Sequence, residues 1–140
     1  MEADPEFGEL ASRWWDYWRR FRGTRDERKA LSVGEPAEVV AAHDQVEAQV
    51  NAGGRSAVEL LVALNDAAPP GDDGLTVGVG PLGDLLHEHA DALINDIEHY
   101  ARVSASFRQA LAHVSLERGR VSRDTEHQLS PWIGSLTNSA

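Results

Sequence analysis

Laid out at 100° per residue, Leu82, Leu85, Leu86, Ala90, Leu93, Ile97 and Tyr100 fall on one continuous stripe. An amphipathic helix of that length has to bury its stripe against another apolar surface, and the rest of the chain offers partners of the same period. Phe7, Leu10, Ala11, Trp14, Trp18 and Phe21 form one such line, with Trp15 and Tyr17 flanking it. Val39, His43, Val46 and Val50 form a second, Leu60, Leu61 and Leu64 a third, and Phe107, Ala110, Leu111 and Val114 a fourth. The spacing therefore predicts an all-α domain of five to six helices. They pack as successive antiparallel hairpins, like a short helical-repeat array, with an irregular C-terminal tail.

Punctuation residues set the expected boundaries. Asp4 followed by Pro5 reads as a cap and first helical position, and Gly23 as the stop. Thr24 with Glu27 reads as a capping box opening a short helix that Gly34 ends. Pro36 opens the next helix, which runs to Gly53-Gly54. Ser56 with Glu59 is a second candidate box, and Pro69-Pro70 halt the helix it opens. The segment "PPGDDGLTVGVG" is expected to be a loop with a short extended piece, because Leu75, Val77 and Val79 alternate with small or polar residues. Gly80-Pro81 starts the long helix, to about Arg102, and Ser104 caps a last helix through about Glu117. Residues 1–118 then make one helical domain, and the Ser/Thr-rich residues 119–140 are disordered or strapped onto it, with Trp132 as the anchor.

A chain of 140 residues is long enough to bury one core without covalent staples. It has no cysteine, which removes disulfides, thiolate metal sites and thiol nucleophiles, and favours an intracellular, cytoplasmic setting. The acidic N-terminus lacks the pattern of a signal peptide, and no stretch is apolar enough to span a bilayer, so a soluble protein is expected. Arginine outnumbers the single Lys29, a bias suggestive of a high-GC bacterial genome.

The net charge of −10 is strongly segregated. Residues 13–29 carry seven basic side chains against three acidic ones, whereas residues 30–100 carry thirteen acidic side chains and only Arg55. A middle this negative repels nucleic acid and attracts a basic protein partner. The basic segment is expected to pair with the acidic body.

The stretch "LLHEHADALI" contains His87-Glu88-x-x-Asp91, a zinc-protease helix motif with its second histidine replaced by a carboxylate. His87 and Asp91, four apart, are the only metal-capable pair on this helix, and helical phase points both toward solvent. A catalytic zinc needs three protein ligands and a dry cavity, and no third ligand stands at motif spacing. An ordinary surface i, i+4 pair is the simpler reading. His89 leans toward the apolar stripe and reads as a packing histidine, as does His43. No nucleophile elbow, phosphate loop or dinucleotide fingerprint is present, so no cofactor and no catalytic set are expected.

The stretch "GPLGDLLHEHADALINDIEHYARVSASFRQAL" also resembles a motif of a bacterial family of small all-helical proteins whose function is uncharacterised. The matching positions are Gly80, Pro81, Leu82, Asp84, Leu85, Leu86, His89, Ile97, Glu98, Ala101, Phe107, Arg108 and Leu111. The resemblance implies a helical fold and structural roles for His89, Glu98 and Arg108. Gly83, where the motif is acidic, and Ala90, where it has glycine, depart from it.

The favoured functional expectation is a non-enzymatic protein–protein interaction module of a bacterium. An acidic immunity or antitoxin-type protein that covers a basic partner, with Trp15, Tyr17, Asp84, Glu88 and Asp91 on its binding surface, is one such protein. The alternatives are a metal-dependent hydrolase on the long helix around residues 84–100, with His87, Asp91 and His99, or a homo-oligomeric scaffold paired through the Trp-rich first helix.

Overall fold

A computed structural model describes residues 5–138, with side chains from residue 7 onward; the Asp4 cap lies outside the described residues. The chain runs α1 (Pro5–Phe21), α2 (Arg25–Ser32), α3 (Ala37–Ala52), α4 (Arg55–Asp66), a single turn α5 (Leu75–Val77), α6 (Gly83–Val103), α7 (Ala105–Leu111), β1 (Ser115–Glu117), α8 (Arg123–Leu129) and β2 (Ser135–Thr137). The fold is all-α apart from the parallel pair β1 and β2, in which Leu116 stands opposite Leu136.

The core is the union of the stripes read from the sequence. Trp14, Leu60, Leu61, Leu64, Leu82, Leu85, Leu86, Ile97, Phe107 and Leu111 are almost completely buried. α1 lies across both α3 and α4, which fold back on one another through Gly53-Gly54, while α6 packs against α3, α4 and α7. The Thr24–Glu27 capping box forms with both of its hydrogen bonds, and Ser104 accepts from the Phe107 N–H as an N-cap.

Five local expectations need correction. The Ser56 box does not form: α4 starts one residue after Gly54, and Glu59 pairs with Arg55 on the helix surface instead. Leu75–Val77 is a helical turn rather than extended chain, with Val77 buried and Leu75 and Val79 exposed. The long helix is preceded by a π turn over Gly78–Leu82, kinked at Gly80, where the dihedrals are φ −95° and ψ −107°. That turn hugs α7 so closely that a Cβ on Gly78 would collide with the Ala110 carbonyl. Phe21, expected on the buried stripe of α1, is 49% exposed at the helix end.

The fifth correction concerns the tail. The last helix stops at Leu111 and not near Glu117, because the chain turns into β1, whose Leu116 is fully buried. Residues beyond 118 then return: Val121, Leu129 and Ile133 enter the same core cluster as α6 and α7, with Trp132 half-buried against it. Of the two states expected for the tail, the strapped one describes residues 119–138, and Leu129 is its deepest anchor.

Candidate functional site

Helical phase alone placed His87 and Asp91 on the outer side of α6, but the returning tail covers that side. His87 is half-buried: its Nδ1–H donates to the Gly83 carbonyl at 2.7 Å, and its Nε2 accepts from the Glu117 N–H at 3.3 Å. Both ring nitrogens are engaged, and the imidazole clamps β1 onto α6. Asp91 accepts the Ser122 N–H through both carboxylate oxygens, at 3.0 and 3.2 Å, at the start of α8. Hydrogen bonds from Thr125 and then from Ser122 hold its carboxyl below the usual aspartate range. The pair acts as two separate tethers for the tail, and both ring nitrogens of His87 are taken up by backbone groups.

His89 takes the packing role expected of it. Its Nε2–H donates to the Asn51 carbonyl at 2.8 Å, linking α6 to the last turn of α3. Gly53 adopts φ +74° directly against the ring, where a Cβ would sit 2.8 Å from His89 Nδ1. Glu98 pairs with Arg102 at 2.8 Å. Arg108 donates to the Ala101 and Arg102 carbonyls at 2.7 and 3.1 Å, closing the end of α6. His99 is exposed, with its ring edge-on to Tyr100.

Trp15, expected on the binding surface, is instead in the core. Only 9% of it is accessible, and its indole N–H donates to the Leu64 carbonyl at 2.7 Å, satisfying a free carbonyl in the last turn of α4. Tyr17 stays half-exposed and stacks on His43, with ring centroids 4.0 Å apart and an interplanar angle of 18°. Trp18 meets His43 edge-on at 5.8 Å, and Phe21 continues the aromatic row beyond Tyr17. Burial, and then the nearby Asp44 and Glu47 carboxylates, push the Tyr17 phenol upward. Asp84 and Glu88 are exposed as expected, and Glu88 faces Arg120 of the tail at 3.5 Å.

Charge is distributed differently from the expected pairing of basic segment with acidic body. Arg13 pairs with Glu9, Arg19 with Asp16 and Glu27, and Arg20 with Asp16, all within α1 and α2. Burial alone would raise the Asp16 carboxyl, but hydrogen bonds from Arg19 and Arg20 hold it below the usual range. Among the described residues, no lysine or arginine forms an ion pair with any acidic side chain of α3. Among the same residues, Glu35 and Glu38 have no ionic partner, and Asp44 and Glu47 approach only His43. Sequence composition identified the acidic segment; it held no signal that the arginines are consumed locally.

A cleft of about 690 Å³ beside α1 is lined by Trp15, Trp18, Ala67 and Pro69, with Arg13, Arg19 and Arg22 also among its lining residues. Arg22 is committed to the Thr76 hydroxyl at 2.8 Å and lies over the Trp18 ring. The Trp18 Nε1 and the Asn65 amide are buried with no hydrogen-bond partner among the described residues. Searches of protein-family models, of curated proteins and of solved structures return no match to this chain.

Proposed function

We propose that the protein is a non-enzymatic protein-binding module whose acidic surface receives a basic protein partner, as an immunity or antitoxin-type protein of a bacterium does. The observation that carries this reading is the uncompensated charge of α3 and its approach: Glu35, Glu38, Asp44 and Glu47 with no lysine or arginine paired to them among the described residues. Clustered like charge costs a folded protein self-repulsion, and a complementary partner recovers that cost while raising its own association rate. Tyr17 stacks on His43 of α3, with Phe21 beside Tyr17, and the two supply rigid aromatic area of the kind that anchors interfaces. Asp84 and Glu88 extend the exposed acidic surface onto α6.

Further support is the chemistry at the other expected site. His87 and Asp91 both hydrogen-bond to the returning tail, which weighs against a hydrolase that would use them as metal ligands. Among the described residues, no helix is long and apolar enough to cross a membrane. A cytoplasmic setting is part of the proposal, resting on the absence of cysteine.

Affinity capture from a bacterial lysate over a salt series tests the reading. The expected result is a basic protein retained at low salt and released as salt rises, with retention lost in a Glu35→Lys, Glu38→Lys double variant. Capture indifferent to salt and to those substitutions overturns it. Light scattering of the purified chain as a stable dimer would favour the scaffold reading in its place.

A further inference from the structure

We propose that His43 and Glu47 form a labile binding site for a divalent transition-metal ion on the outer face of α3, with Asp44 beside the second ring nitrogen. His43, Asp44 and Glu47 offer ligand atoms that all lie within 4.8 Å of one another. The His43 Nε2 stands 3.7 Å from Glu47 Oε1, beyond hydrogen-bonding range. Two ligands each ~2.1 Å from a tetrahedral ion stand roughly 3.4 Å apart, so a small adjustment of the Glu47 side chain closes the pair on an ion. The spacing i, i+4 on a helix is what lets both atoms face the same point.

On the other side of the ring, Nδ1 lies 3.5 Å from Asp44 Oδ1. A carboxylate behind the non-ligating nitrogen fixes the tautomer and makes the imidazole a better donor, the arrangement that metal-bound histidines usually show. The ring is also held in place: Tyr17 stacks on its face and Trp18 closes its edge, leaving the side chain 17% exposed. Glu47 and Asp44, by contrast, are 66% and 70% exposed, so an ion reaches them from solvent without any rearrangement of the core. One nitrogen and one carboxylate oxygen, with the remaining positions left to water, suit zinc, nickel or copper at a weak and exchangeable site. The proposal stands apart from the protein-binding reading, since it needs no partner and is tested on the chain alone.

The experiment is calorimetric titration of the chelator-stripped full chain with zinc chloride, paired with nickel chloride titration followed by tryptophan emission. The expected result is one saturable equivalent of zinc, with nickel quenching emission over the same saturation range, because Trp18 lies beside His43. Glu47→Gln is expected to weaken both by about tenfold or more, Asp44→Asn by about tenfold, and His43→Gln to abolish saturation. His127→Gln, on an exposed histidine in α8, leaves both unchanged. Glu47 is exposed, so its variant keeps the fold and decides the matter even if His43→Gln melts early. Wild-type binding in Glu47→Gln, or equal weakening by His127→Gln, overturns the proposal.

Discussion

Three helix ends in this molecule are finished by side chains from somewhere else in the chain. The last turn of an α-helix leaves carbonyls without an internal donor. Trp15 on α1 serves Leu64 at the end of α4, His89 on α6 serves Asn51 at the end of α3, and Arg108 on α7 serves Ala101 and Arg102 at the end of α6. Each bond joins two elements while repairing one, so its loss leaves a carbonyl unpaired and loosens a crossing. Trp15→Phe keeps most of the packing area and should cost about 1–2 kcal/mol in urea unfolding. Gly53→Ala should cost more than about 1 kcal/mol in the same measurement, because it strains a φ of +74° and presses on the His89 ring. A neutral outcome for Gly53→Ala would mean that His89 is free to move aside.

At the same scale, Asp91 ties stability to pH. Its folded carboxyl titrates below the ordinary aspartate value of 3.8, so the contribution is fully present above that value and is lost as pH falls through the depressed folded one. Asp91→Asn should therefore be less stable than the wild-type chain at neutral pH and converge on it below about pH 4, flattening the acid side of the stability–pH curve. Thermal melts of both proteins between acidic and neutral pH read this directly; parallel curves would remove the tether. His89 was legible from sequence because it sits on the edge of its own helix's stripe. His87 and Asp91 were not, since phase reports which side of a helix a residue occupies and says nothing about what later covers that side.

The elements most visible in the sequence are those whose apolar residues keep helical period over three turns or more, α1, α3 and α6, and the leucine-rich α4. Caps were read correctly where the capping residue immediately preceded the helix, as at Thr24 and Ser104. At Ser56 the box was misread because Gly54 had already turned the chain and α4 began a residue too soon. The segment from Leu75 to Leu82 defeated the pattern for a different reason. Glycine at 74, 78 and 80 lowers helix propensity, but Gly74 and Gly78 are there because α7 passes too close for a side chain. Past α7 the buried apolar residues Leu116, Val121, Leu129 and Ile133 are few, with Trp132 and Leu136 partly buried beside them. Leu129→Ala should cost about 2–5 kcal/mol, close to a core-helix truncation of the same kind, when measured by chemical denaturation. A cost under about 1 kcal/mol would return the tail to the role of a loose strap.

For the molecule as a whole, the division of charge has a measurable signature. The arginines of α1 are neutralised by acids in α1 and α2, so they do little to offset the negative charge of α3. Association with a basic partner should slow steeply as ionic strength rises, and less steeply in Glu38→Lys, because exposed charges act mainly on encounter rate and are screened within about 8–10 Å. Stopped-flow association at several salt concentrations measures that slope, and an unchanged slope in the variant would place the contact surface elsewhere.

The returning tail also sets a timetable for synthesis. Domains fold as their chain emerges, N-terminal parts first, yet the face of α6 that carries His87 and Asp91 has no cover until β1 and α8 have appeared. Leu129 and Ile133 join the core cluster only at that point. A nascent chain halted before Leu129 would hold its helices while showing greasy surface to every chaperone in reach, and only the final stretch would end that exposure.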